Sequence, residues 1–174
     1  MSVERISDTC QYLSFNLDQE EFALDISKVR EVLDYTKITK VPQMPEFMHG
    51  VINLRGAVVP VVDLRLKFNM GVTDQTVNAR IVIIEISIDN EKTVLGALAD
   101  CVNEVMELEP ENIEPAPKIG TRLNTDFIMG MGKRDEEFVM ILDVDKVFSS
   151  DELLSLPQGT HGGNSEQRST GTDE

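Results

Sequence analysis

Residues 47–68 read FMHGVINLRGAVVPVVDLRLKF, the one segment that joins dense apolar content to a fixed polar pattern. Residues 50–54 and 57–62 are rich in β-branched side chains that suit a pleated surface, and Arg55-Gly56 between them supplies a turn because glycine tolerates positive φ. The stretch therefore predicts a hairpin with Arg55 at its exposed tip. Pro60 has no N–H to give to a ladder, which places the second strand at a sheet edge or at a bulge. Asp63 stands directly before Leu64, Leu66 and Phe68, where its carboxylate can accept from the free amides of a short helix.

At an offset of 80, residues 127–148 read FIMGMGKRDEEFVMILDVDKVF and align without a gap, Phe47 with Phe127, Gly50 with Gly130, Asp63 with Asp143 and Phe68 with Phe148. A second pairing runs at an offset of 73, where Ser27-Lys28-Val29-Arg30-Glu31-Val32-Leu33 matches Asp100-Cys101-Val102-Asn103-Glu104-Val105-Met106 and Pro42 matches Pro115. The two offsets differ by seven residues, an insertion between Pro115 and Phe127. Ordered matches at two offsets indicate an internal duplication. A copy of about 60 to 70 residues buries little apolar surface alone, so the two halves are expected to share a core.

The chain has 174 residues, 41% hydrophobic and 27% charged, as is ordinary for one globular domain or two small coupled ones. Its 31 acidic and 16 basic residues give a net charge of −15, and the resulting field argues against nucleic acid or an anionic membrane as partner. Residues 1–10 read as a loose arm without the basic and apolar regions of a signal peptide. No run approaches the ~18 apolar residues of a spanning helix, and Cys10 and Cys101 make no CxxC motif. These features describe a cytoplasmic protein with no direct membrane insertion.

Period-two alternation at Leu13, Phe15 and Leu17, resumed at Phe22, Leu24 and Ile26, predicts a further hairpin. Ser27 is then placed to cap one helical turn with Val29, Val32 and Leu33 on its apolar face, after which residues 38–41 return as a strand. Residues 80–88 and 93–99 predict another hairpin, with Gly96 marking a close approach. Residues 149–156 predict a short C-terminal helix, and beyond Pro157 the chain holds no large apolar residue, so 157–174 is expected to be a disordered tail.

Catalytic chemistry finds little support. His49 and His161 are the only histidines, and a nucleophilic arrangement would rest on His49 alone, which is better read as a residue at a strand entrance. Neither cysteine has a neighbour at zinc-site spacing and no acidic run has the pattern of a calcium loop, so no metal and no cofactor is expected. Gly130-Met131-Gly132-Lys133 is not a phosphate loop, because Phe127 stands where the first glycine belongs and Arg134 where Ser or Thr belongs. Asp100, Glu104, Glu107 and Glu109 read as a solvated face.

In GVINLRGAVVPVVDLRLKF, DISKVREV, Asp100-x-Val102 and Ile113-x-Pro115-Ala116-Pro117 the sequence resembles the CheW family of bacterial chemotaxis adaptors, from about Tyr12 to Leu154. The resemblance implies an all-β fold, mainly strands with a few short helices. Two SH3-like five-stranded barrels, about 11–78 and 79–148, would share a hydrophobic core within a single domain spanning 11–156. It also implies a noncatalytic role in two-component signal transduction, linking the cytoplasmic tip of methyl-accepting chemoreceptors to the regulatory domain of the histidine kinase CheA. The protein would be recruited to membrane receptor arrays through those partners.

Carried over residue by residue, the family's receptor groove falls on Val29, Glu31, Gly50, Arg55, Ile81 and Val105. Of these, Val29, Ile81 and Val105 suit a buried core equally well, and Arg55 can pair with a partner carboxylate or, within the chain, with Glu31 or Asp63. The family's kinase contact falls on Ile38, Val41 and Met44, with a second on the connection from Ile113 to Ile119. There Glu114 stands where many relatives carry a basic residue, which is at odds with a salt-bridged contact. Two other readings stay open: a like adaptor in a parallel chemosensory system governing pili or cyclic-nucleotide output, and an enzyme with a convergent polar pocket around His49. Limited proteolysis is expected to remove the residues beyond Pro157 without lowering the unfolding midpoint, and protection of that tail would contradict the reading.

Overall fold

The computed structural model describes residues 10–88, 90–115 and 127–147. Residues 1–9 of the expected arm, the expected C-terminal helix and the tail lie outside the described residues, as do Asp89, Ile119 and Phe148. Cys10, assigned above to the arm, already belongs to the first strand. The strands are β1 (Cys10–Leu17), β2 (Glu20–Asp25), β3 (Val29–Asp34), β4 (Met48–Leu54), β5 (Ala57–Asp63), β6 (Arg80–Ile88), β7 (Glu91–Ala99), β8 (Cys101–Leu108), β9 (Ile113–Glu114), β10 (Ile128–Arg134) and β11 (Glu137–Leu142). One-turn helices α1 (Leu64–Lys67) and α2 (Val144–Val147) follow β5 and β11.

The hairpin that organises the sequence forms as expected from β4 and β5. Arg55 and Gly56 take positive φ at its tip, and the Gly56 N–H donates to the Asn53 side chain at 2.8 Å. Asp63 caps α1, accepting from the N–H groups of Arg65 and Leu66, and its buried carboxylate also takes the N–H and hydroxyl of Thr73 at 3.0 and 2.6 Å. Pro60, however, is not at an edge, because β5 lies between β7 and β4. Its partner Val51 turns both backbone groups away to Thr39, at 2.8 and 2.9 Å, so no donor is needed on the β4 side. The parallel ladder to β7 begins only at Val61.

The helical turn is shorter than the sequence predicts. Only Ile26–Lys28 is helical, a 3₁₀ turn capped by Asp25, whose side chain accepts from the Ser27 N–H at 2.9 Å. The apolar residues beyond it form β3, with half-buried Val29, Glu31 and Leu33 alternating with exposed Arg30, Val32 and Asp34. Val29, Val32 and Leu33, at mixed spacing, fit either period, and pairing with β6 selects a period of two. The expected strand at 38–41 likewise reduces to a single bridge, Thr39 to Val51.

One sheet runs β8-β1-β2-β11-β10-β9 and the other β3-β6-β7-β5-β4. Each thus has five full strands, the first adding two-residue β9 and the second the Thr39 bridge. Both sheets draw on both halves of the chain, so the boundary near residue 78 divides the repeat but neither barrel. Hairpin β1–β2 of the first copy joins the second copy's barrel, and β6–β7 of the second joins the first's. The exchange is symmetric: parallel pairing joins Val61 to Gly96 and Ile141 to Ala23. Adding 80 to Val61 gives Ile141, and adding 73 to Ala23 gives Gly96. Leu13 opposite Val105 is the counterpart of Val82 opposite Val32. Leu13 and Val82 are 69 residues apart, four short of 73, because the β6–β7 hairpin is longer.

The physical reason for the exchange is that these hairpins are buried on both faces, β6–β7 with apolar side chains on each and β1–β2 with an apolar face opposite one that adds Ser14 and Glu21 to Tyr12 and Ala23. In β6, Ile81 and Ile83 fill one barrel with Ile52, Val59, Val61 and Leu98, while Val82, Ile84 and Ile86 enter a layer shared by the two sheets. Stacked rings of Phe15, Phe22, Phe68 and Phe127 run through that layer, the last pair 4.7 Å apart. Two matching clamps close it. Asp100 accepts from the Asp18 N–H and pairs with Arg65 at 3.2 Å, while Asp145 accepts from the Ser87 N–H at 2.8 Å and pairs with Lys28 at 2.9 Å. Arg65 and Asp145 hold equivalent positions, so the charges are reversed between the clamps.

A chain so interleaved should unfold in one transition by circular dichroism and by fluorescence of introduced probes. Fragment 1–78 carries part of each sheet and should stay unfolded alone. A folded 1–78 fragment, or separate midpoints for the halves, would be incompatible with the exchange.

Candidate functional site

The hairpin tip and the β3 edge form the first candidate surface. Arg55 is exposed at the tip and pairs with Glu31 on β3, the internal partner left open by sequence. An exposed pair of this kind contributes about 0 to 1 kcal/mol, so its guanidinium remains available to a competing carboxylate. Val29 precedes Glu31 on the same strand but packs against the shared layer. Ile81 is corrected as a contact residue: it is 0% exposed in the barrel interior, since β6 is an inner strand.

Gly50 is buried as well, and its role is steric. A Cβ there would stand 2.3 Å from the Thr39 carbonyl oxygen and 2.6 Å from Ile38, because the segment after β3 crosses β4 at this point. Gly130 repeats the arrangement beneath β9, with Ile113 at 2.8 Å. Val105 is 50% exposed on β8, an edge strand of the other sheet, and is not brought beside Glu31 by strand pairing. Its repeat mate Val32 is 39% exposed on edge strand β3. The sequence reading missed Val32 as a surface residue, although the offset of 73 already matched it to Val105. Val58 and Phe138, 80 residues apart, are a second exposed pair found the same way.

The other candidates lie on the connections that close the barrels. Ile38, Val41 and Met44 follow β3 and are half-buried, Ile38 against one barrel interior and Met44 against the shared layer. Ile113 packs on the other barrel interior, the mate of Ile38 across the two glycines. Ile119 is outside the described residues. His49 is half-buried with its Nε2 3.5 Å from the Tyr35 hydroxyl. Burial, and then the Asp63 carboxylate, push that hydroxyl's pKa up, so it stays a neutral donor near neutral pH. Among the described residues no three His, Cys, Asp or Glu side chains are grouped to hold a metal ion.

A family model for the CheW-like domain matches residues 11–152, from β1 to beyond α2. The chain belongs to this family. It is 34% identical over 143 residues to the chemotaxis protein CheW of Klebsiella aerogenes, covering 82% of this chain and 84% of that relative. To the chemotaxis protein CheW of Bacillus subtilis it is 33% identical over 142 residues, covering 81% and 88%. The crystal structure of the scaffolding protein TtCheW from Thermoanaerobacter tengcongensis is similar with a TM-score of 0.72 and 36% identity, over 82% of this chain and 94% of that one. These spans take in both sheets, so the CheW likeness is to the whole pair of barrels and not to one hairpin motif.

The two glycine-to-tip residues should separate in urea unfolding. Arg55→Ala is expected to shift stability by no more than about 1 kcal/mol. Gly50→Ala, which must displace the crossing backbone, should cost about 2 kcal/mol or more. Equal costs would contradict the assignment of an exposed pair and a steric glycine.

Proposed function

We propose that this chain is a noncatalytic chemotaxis adaptor that couples the cytoplasmic tip of methyl-accepting chemoreceptors to the regulatory domain of the histidine kinase CheA. The observation that carries the reading is family membership across both barrels, among relatives named for chemotaxis and scaffolding. Among the described residues no helix is long and apolar enough to cross a membrane. Recruitment to receptor arrays would therefore run through the partners.

The receptor face is assigned to the Glu31–Arg55 pair with Val29 at its margin and to exposed Val105 with its mate Val32. A helical receptor tip suits an apolar surface with a charged rim of this kind. Ile81 and Gly50 serve this face only by holding the strands beneath it. The kinase face is assigned to Ile38, Val41 and Met44, with Ile113 and Ile119 as a second contact on the other barrel. With two faces and no chemistry, the adaptor acts by tethering, which turns a weak encounter into a local one through effective concentration.

Receptor-coupled kinase activity should then rise and fall as this protein is titrated, since in excess it occupies receptors and kinases separately. Arg55→Glu should weaken the receptor arm and Val41→Asp the kinase arm. A titration that climbs to a plateau and stays there would replace bridging with direct activation of the kinase.

A further inference from the structure

Beside the crossing at Thr39 lies an open surface pocket of about 570 Å³, lined by Tyr35, Lys37, Ile38, Lys40, His49 and Gln75 among others. On a chain of net charge −15 its wall is an exception, because no carboxylate lines it. Lys37 and Lys40 are exposed and form no ion pair among the described residues; the nearest carboxylates in sequence, Asp34 and Asp74, are exposed to solvent outside the lining, Asp34 3.5 Å from Arg80. Asp63 sits buried behind Thr73, with its oxygens already accepting from Thr73, Arg65 and Leu66. Two unpaired ammonium groups, a neutral Tyr35 hydroxyl and an imidazole thus surround a space whose edge is the apolar Ile38 side chain.

We propose that Lys37 and Lys40 anchor an acidic segment of the protein partner that docks against Ile38 and Val41. The inference rests on the kinase face assigned above and adds the chemistry of what meets it: carboxylates flanking an apolar side chain. Ile38 is the reason to favour a protein segment over a free anion, which would gain nothing from an apolar wall. Elsewhere the acidic surface repels an acidic partner, so this pocket selects the docking orientation as well as adding attraction. Lysine suits the role, since a compact charge on a flexible stem adapts to a carboxylate without demanding one geometry.

The test is calorimetric binding of the intact chain to the CheA regulatory domain at low and high salt. Lys37→Glu/Lys40→Glu is expected to bind about tenfold more weakly at low salt, to lose most of the salt dependence, and to bind a receptor tip as before. Lys37→Gln/Lys40→Gln should fall between. If the reversed variant binds the kinase domain as tightly as the native chain, the anchor is wrong while the kinase face stands. If the native chain itself does not bind, the kinase face fails and the anchor with it. Inorganic phosphate is the control: a phosphate-induced NMR shift at His49 that the reversal abolishes, with kinase affinity unchanged, would make this a small-anion site and overturn the proposal.

Discussion

The apolar layer between the two sheets is the constraint on which the rest depends. Its side chains come from β1, β2, β4, β5, β6, β7 and β11 together with α1 and α2, so neither half of the chain can complete it alone. A copy of the repeat has too little interior to be stable, and burying both faces of each first hairpin requires a second sheet. Exchanging those hairpins meets both needs at once. Each exchanged hairpin is then held on both sides by the other copy, through an antiparallel pair (β1–β8 and β3–β6) on one edge and a parallel pair (β2–β11 and β5–β7) on the other.

The two barrels have diverged within that symmetric frame. In one, Leu54, Ile83 and Val94 pack against an apolar interior. At the equivalent positions of the other stand Arg134, Ser14 and Glu21, where the guanidinium holds Glu21 at 2.7 and 2.8 Å and Glu104 at 3.1 Å, and Asn103 donates to Ser14 at 3.1 Å. The reversed clamps differ in the same way, Arg65 facing Asp100 where Asp145 faces Lys28. A charge placed on the wrong copy would meet its like, so the pairs favour one arrangement of the halves over its alternative. The repeat thus gives two barrels of one shape with different side chains at matching positions.

Much of this was legible in the residues. The β4–β5 hairpin, the Arg55 tip, the Asp63 cap and the duplication are local or periodic features, set by turn chemistry, a capping carboxylate and side-chain alternation, and they need no knowledge of distant neighbours. The family resemblance rested on that hairpin stretch together with DISKVREV, Asp100-x-Val102 and Ile113-x-Pro115-Ala116-Pro117. Three features were decided by tertiary structure alone. Residues 29–33 satisfy helical and strand spacing alike, and pairing with β6 made them a strand. Pro60 signals an edge until Val51 is seen to bond Thr39, which frees an inner position for a residue without a donor. Ile81 and Val105 are both aliphatic residues on strands, and only sheet order buries the first and exposes the second. The sequence by itself determined what each segment prefers to be, because turns, caps and alternation act over a few residues. Which hairpin joined which barrel was decided by the completed fold, because that choice depends on apolar faces far apart in the chain finding a common layer.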